Sequence, residues 1–113
     1  MIKLHENHPA LLVSRHVLAW AYQAAGKIKP AIELLECVVA VRERILDEEH
    51  PALVVSQHEL AVAYKADGQA KDAVDILKYV VAVRVRTLDE AHPARVLSER
   101  VLEESRRQYL GFG

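Results

Sequence analysis

The sequence has only one cysteine, Cys37, among its 113 residues, so neither an internal disulfide nor a cysteine-based metal site can form. Its four glycines are scattered and give neither a phosphate-binding loop nor a dinucleotide-binding fingerprint. No apolar run approaches the roughly 20 residues of a transmembrane helix, and the opening residues, MIKLHENHP, lack the apolar stretch of a signal peptide. We therefore expect a cytoplasmic protein that does not bind membranes.

The sequence also lacks an excess of charge of either sign. The 15 basic and 16 acidic side chains nearly cancel, which leaves a formal net charge of −1. A basic excess would favour nucleic acid and an acidic tail would indicate a solvated arm, and the chain has neither. We expect no nucleic-acid partner. With 51% hydrophobic and 27% charged residues, the composition is that of an ordinary globular domain with a modest core.

The sequence does contain one motif that occurs three times. HPALLVSR begins at His8, HPALVVSQ at His50 and HPARVLSE at His92, so both intervals are 42 residues (50 − 8 and 92 − 50). Residues 8–49 align with 50–91 without a gap, and more than half of the aligned positions are identical. A period of this length indicates stacked supersecondary units. Residues 1–7 match the end of a unit and are interpreted as a remnant of a preceding repeat.

Each unit is predicted to contain two helices. Proline suits the first helical position, and the residue before it is biased towards an extended conformation, so each His-Pro pair marks a break between units. Gly26 and Gly68 are expected to end the first helix of their units. The predicted helices span about 9–25 and 29–46 in repeat 1, and about 51–67 and 71–88 in repeat 2. Residues 92–113 are predicted to form a C-terminal capping helix and tail.

One segment conflicts locally with this pattern. Val83-Arg84-Val85-Arg86 alternates as a strand would, and its β-branched residues favour extended structure. The segment nevertheless continues a helical pattern without a turn signal, and periodicity over a long segment outweighs local propensity. We therefore predict helix here and an all-α fold of about five helices.

The stretches LAWAYQAAGKIKPAIELL and LAVAYKADGQAKDAVDIL resemble the tetratricopeptide repeat, with its Leu-Ala-x-x-Tyr, turn glycine and following alanine. The 42-residue period, the His-Pro opening and the closing RERILDEEHP are similar to the longer version in kinesin light chains and in the C-terminal arrays of fungal NLR-like signalling proteins. This resemblance implies an α-solenoid of antiparallel helix pairs whose first helices line a concave groove.

The two ends of the predicted array differ in polarity. Where the full units have Ala19 and Tyr22, the third unit has Glu103 and Arg106, as expected of a polar cap. The first helix instead carries apolar surface that a preceding unit would cover. We expect the chain to be the C-terminal part of a longer array and, in isolation, to cover this uncapped face by self-association.

The resemblance places a stripe of residues from the first helix of each unit on the concave surface. The candidate partner-binding residues are Val13, His16, Trp20, Gln23, His58, Val62, Lys65, Arg100, Glu104 and Arg107. Trp20 aligns with Val62, so repeat packing does not demand an indole there; it is either a peptide anchor or a space-filling residue. The stripe has no asparagine, so the basic clamp that some tetratricopeptide domains use for chaperone C-termini is not expected.

Metal and catalytic sites find little support. His8, His50 and His92 share one repeat position, and corresponding atoms of adjacent units lie about 10 Å apart, too far for one ion. His5 and His8 have close spacing but no third ligand nearby. The acidic residues at the unit junctions suit helix ends and loops. We predict no catalytic residue, no metal and no cofactor.

The sequence thus predicts a non-catalytic protein-protein interaction module, the C-terminal ligand-sensing or partner-binding part of a larger signalling protein. Two alternatives stay open. The repeats could be a structural spacer or homo-oligomerisation arm with no ligand in the groove. They could also be the sensor tail of a nucleotide-dependent switch or an enzyme whose active domain lies upstream.

Overall fold

The structure is a computed structural model that describes residues 9–111. These residues form five α-helices and no strand, and each helix packs against the next along the chain. The helices are α1 (Pro9–Ala24), α2 (Ile28–Ile45), α3 (Pro51–Ala66), α4 (Ala70–Thr87) and α5 (Pro93–Leu110). The all-α solenoid architecture is confirmed, and the alternating Val83–Arg86 segment lies within α4. The predicted remnant at 1–7 lies outside the described residues.

The His-Pro motif begins a helix, and its histidine side chain caps that helix. His50 has an extended backbone, and its Nδ1 accepts a hydrogen bond from the Ala52 N–H at 3.1 Å. His92 accepts from the Ala94 N–H at the same distance. The proline that follows each histidine has no N–H to satisfy, and its φ is already helical. The His-Pro motif therefore recurs because it begins the first helix of each unit.

Glycine ends those first helices. Gly26 and Gly68 have φ of 79° and 82°, the left-handed conformation that only glycine adopts without strain. The second helices begin at Ile28 and Ala70, one residue before the predicted starts, and neither has a side-chain cap. They end at Ile45 and Thr87, and the extended backbones of the following residues, Leu46 and Leu88, lead into the next His-Pro pair.

Alanine lets the two helices of a unit approach closely. Ala19 and Ala31 in the first unit and Ala61 and Ala73 in the second are fully buried. Larger side chains fill the space between consecutive units, and they come from corresponding positions of the two second helices. The main ones are Ile32, Leu35, Val74 and Leu77. Val38 and Val80 instead pack inside their own units, against Leu12 and Val54.

Buried arginines join consecutive units. Arg42 of α2 donates through Nη1 to the Ala52 carbonyl oxygen at 3.0 Å and to Ser56 Oγ, both on α3. Arg84 of α4 makes the same two contacts with α5. Burial lowers the pKa of both guanidinium groups. We call these contacts the arginine–serine junctions.

The first and last helices leave different faces uncovered. Leu18 of α1 is 46% exposed, whereas Leu60 and Leu102 at the same repeat position are 4% and 6% exposed. The second helix of the preceding unit covers Leu60 and Leu102, and among the described residues no such helix precedes α1. At the opposite end, α5 exposes Glu103 where the full units bury Ala19 and Ala61.

Candidate partner-binding groove

The candidate residues lie on α1, α3 and α5, the first helices of the three units. Corresponding positions form rows that cross these helices, and α3 contacts α5 directly. We call this surface the groove stripe. Its rows are Val13, Val55 and Leu97; Trp20, Val62 and Glu104; and Gln23, Lys65 and Arg107.

The first row is apolar and open. Val13, Val55 and Leu97 are all exposed large hydrophobic residues, one from each first helix. Scattered exposed apolar residues need no explanation, but these three share one repeat position, so each first helix presents one apolar side chain along the same edge of the stripe. That edge is able to contact apolar side chains of a partner.

Trp20 occupies the middle row and is 67% exposed. Within residues 9–111 most of the indole is therefore not packed against another helix. Val62, its counterpart, is half-buried and packs against the cluster that contains Val101 of α5. A binding role for Trp20 stays a prediction.

The third row carries charge. Lys65 Nζ lies 3.0 Å from Glu104 Oε1, which links α3 to α5 across the stripe. Arg107 Nε lies 3.2 Å from Glu103 Oε1, one turn earlier on α5. Surface ion pairs of this kind contribute about 0–1 kcal/mol, so a partner can displace them at little cost. Arg100 is exposed beside them, and Gln23 is half-buried.

His58 departs from the prediction, because its side chain is buried and only 5% exposed. Its Nδ1 lies 2.9 Å from Ser98 Oγ, the oxygen that also accepts from Arg84 Nη1 at 2.6 Å. Arginine can only donate, so the serine proton is free to point at Nδ1 of a neutral imidazole. His58 thus belongs to the second arginine–serine junction and is not available on the open stripe.

The environment of the two stripe histidines favours the neutral ring. Burial, with a smaller contribution from the charge of Arg84, lowers the pKa of His58 to about 4. Burial also lowers the pKa of His16, which is half-buried, against an opposing effect of Glu59. Neither histidine is therefore a cationic contact for a partner at neutral pH.

The arginine–serine junctions were missed from the sequence. The signal was present, since Arg42 precedes Ser56 by 14 residues and Arg84 precedes Ser98 by the same distance. Arginine in the last turn of a helix is ordinarily interpreted as solvated or as complementing the helix dipole. Only the packing of the next helix shows that both arginines are buried.

A family model described as the tetratricopeptide repeat matches residues 11–52 and 53–94. The chain belongs to the tetratricopeptide-repeat family. The two matches are consecutive and 42 residues long, so the spacing between His-Pro motifs equals the length of the family repeat. They begin three residues after His8 and His50 (11 − 8 and 53 − 50), because the family model starts its repeat unit at a later position than the His-Pro motif.

Two solved structures of similar tetratricopeptide-type repeats match almost the whole chain. One is the crystal structure of nearly identical TPR-like repeats of a kinesin light chain-like protein from Podosopora anserina, with 46% identity and a TM-score of 0.78. The other is a single-substitution variant of those repeats, with 45% identity and a TM-score of 0.80. Each match covers 94% of this chain and 50% of the solved chain. The chain thus spans half the length of these relatives.

None of the curated proteins compared with the chain matches it. The kinesin light chain-like type of repeat is established by the two solved structures, and such a fold is an interaction scaffold. Within residues 9–111, no helix is long and apolar enough to cross a membrane.

Proposed function

We propose that this chain binds a protein or peptide partner through the groove stripe, as a non-catalytic scaffold. The observation that carries the proposal is Trp20, which is 67% exposed in the middle row of the stripe. A large aromatic side chain costs solubility when it is exposed, and tryptophan is enriched among residues that dominate binding energy. Val62 at the same repeat position supports the proposal, because the fold itself accepts a smaller residue there.

The rows of the stripe suggest what the partner presents. Val13, Val55 and Leu97 would contact its apolar side chains, and Trp20 would cover one of them. Lys65 and Arg107 would exchange their present carboxylate partners for acceptors on the ligand. The partner is therefore expected to be apolar along one edge and rich in hydrogen-bond acceptors along the other.

Trp20→Val tests the proposal, because valine is the residue that the second unit has in this place. Peptides selected from a random display library against the chain should bind the Trp20→Val variant at least about tenfold more weakly, the loss typical of an aromatic hot spot. Tyr109→Val, which removes an exposed aromatic residue near the end of α5, is the control and should bind normally. Peptides that bind the Trp20→Val variant as tightly as the parent chain would contradict a role of the stripe.

Self-association is a second candidate function, favoured by the uncovered face of α1. That face includes Val17 and Leu18, both exposed, and α1 has no acidic residue that a symmetric contact would bury. Pairing of two α1 helices about a two-fold axis would cover the face and close the assembly. Light-scattering mass over a dilution series tests this, and a strict monomer at high concentration would exclude it.

We also propose that these repeats serve a larger cytoplasmic signalling protein, with a nucleotide-dependent switch or an enzyme domain upstream. The support is the resemblance to fungal NLR-like arrays and the twofold greater length of the solved relatives. The sequence of the parent gene tests this. A phosphate-binding motif upstream would support a switch, and a gene that encodes only repeats would favour a spacer or scaffold.

A further inference from the structure

A second candidate binding surface lies on the opposite side of α3 from the groove stripe. It is a cleft of about 440 Å³ between α2 and α4, with α3 beneath it. Leu53, Gln57 and Leu60 face this cleft, whereas Val55 and Val62 of the same helix face the stripe, as the helical period requires. A cleft of this size accommodates a few side chains of a partner.

The cleft has an apolar floor and an acidic rim. Val39, Leu53 and Leu60 form much of the floor, together with Ile76 of α4. Glu43 and Glu48 lie at the rim, and the lining includes no lysine, arginine or histidine among the described residues. The hydroxyl of Tyr79, also at the rim, donates to the Glu48 carbonyl oxygen at 3.2 Å and is thereby occupied. The lining thus offers hydrogen-bond acceptors and negative charge, and it favours a cationic donor.

Gln57 adds an unused acceptor. Its side chain is 8% exposed, and its Oε1 is buried without a hydrogen-bond partner among the described residues. Buried polar atoms are rarely left unpaired, and each exception calls for an explanation. The repeat does not require glutamine here, because Arg15 and Glu99 occupy the same position in the other units.

We propose that this cleft binds a segment of a protein partner in which a basic residue is flanked by apolar residues. The aliphatic stem and its apolar neighbours lie on the floor, and the cationic head lies between Glu43 and Glu48. A rotation of the Gln57 amide brings its carbonyl oxygen to a donor of the segment. Charge complementarity with the rim selects a basic segment over an acidic one.

The test titrates the ¹⁵N-labelled chain with acetyl-Leu-Arg-Leu-amide and with acetyl-Leu-Glu-Leu-amide. The arginine peptide should shift the amide signals of Glu43, Gln57 and Tyr79 and leave the Trp20 indole signal in place. It should bind at least about tenfold more tightly than the glutamate peptide, which the rim repels. Equal affinities, shifts centred on Trp20, or no shift at about 10 mM peptide would each overturn the proposal.

Two double variants with the same net charge distinguish attraction by the rim glutamates from attraction by the net charge of the chain. Glu43→Gln with Glu48→Gln should weaken arginine-peptide binding by about fivefold at low salt. Glu33→Gln with Glu90→Gln removes the same charge from α2 and from the repeat position that corresponds to Glu48, and it should leave binding unchanged. An equal loss in the two pairs would show that net charge alone attracts the peptide.

Gln57→Leu tests the unpaired acceptor. Leucine fills the same space without a polar atom, so the variant should unfold at a higher temperature than the parent chain while binding the arginine peptide more weakly. A variant that gains stability and keeps full affinity would show that Gln57 takes no part in binding.

Discussion

Arg84 Nη1 lies 2.6 Å from Ser98 Oγ across the interface between α4 and α5, and the contact repeats one unit earlier between Arg42 and Ser56. Both arginines are buried, and the hydrogen bonds described for them go to a hydroxyl and a carbonyl oxygen. Each junction therefore holds a cation by hydrogen bonds to neutral dipoles.

Removing the hydroxyl from a junction should destabilise the fold. Ser98→Ala leaves the buried guanidinium of Arg84 with one fewer acceptor, and we expect it to lower the free energy of unfolding by about 1–3 kcal/mol. Urea denaturation measures the change. Ser14→Ala is the matched control, since Ser14 shares the repeat position and donates to the Ala10 carbonyl oxygen of its own helix; its effect should stay within about 0.5 kcal/mol. Equal losses at the two serines would contradict a specific role of the junction.

Stability should fall with acidification between about pH 6.5 and pH 4. The pKa of His58 is lowered from 6.5 to about 4 in the folded chain, so in this window the unfolded chain binds the additional proton and the folded chain does not. The loss attributable to His58 should reach about 3 kcal/mol near pH 4 and level off below it. His58→Gln should flatten this part of the curve of unfolding free energy against pH. An unchanged slope in that variant would show that other groups carry the acid sensitivity.

Leu18 and Leu60 should respond differently to the same substitution. Leu60→Ala opens a cavity in the core and should lower the free energy of unfolding by about 2–5 kcal/mol. Leu18→Ala removes an exposed side chain and should change it by less than about 0.5 kcal/mol in the monomer. If the chain self-associates through α1, Leu18→Ala should also lower the light-scattering mass at a fixed concentration. Comparable destabilisation of the monomer by both substitutions would mean that α1 is covered.

Gly68 should tolerate no side chain without strain. Its φ of 82° lies in the left-handed region, although a Cβ atom there would meet no other atom within 4 Å. Gly68→Ala should therefore destabilise by about 1 kcal/mol through backbone strain alone, and Gly68→Asn by less, because asparagine tolerates this conformation better. Thermal unfolding of the two variants checks the order. A more stable alanine variant would show that the turn adopts another conformation in solution.

Much of the fold follows from local signals that act within one turn of helix. Proline at a helix start and glycine at a helix end act through φ and the missing N–H, so Pro51 and Gly68 mark α3 without knowledge of its neighbours. The β-branched run in α4 could be placed because apolar periodicity extended over the whole helix. The histidines that cap α3 and α5 were recognised as junction residues, but their hydrogen bonds to Ala52 and Ala94 were not.

Less of the candidate site than of the fold could be predicted from the sequence. The stripe positions could be placed through the resemblance, but His58 was assigned to an open surface and is buried beside Ser98, 40 residues away along the chain. The cleft that contains Gln57 was not anticipated at all. Its lining comes from three helices, and the unpaired oxygen is visible only when every neighbouring donor has been placed.

By itself, the sequence determined the 42-residue period, the helical type of each segment and the repeat family, because these depend on residue order and local backbone preference. Only the tertiary structure decided which equivalent residues are covered. Leu18 and Leu60 are the same residue at the same repeat position, yet one faces solvent and the other the core. Burial depends on the neighbouring helix that removes water from a side chain, and residue identity alone does not specify that neighbour.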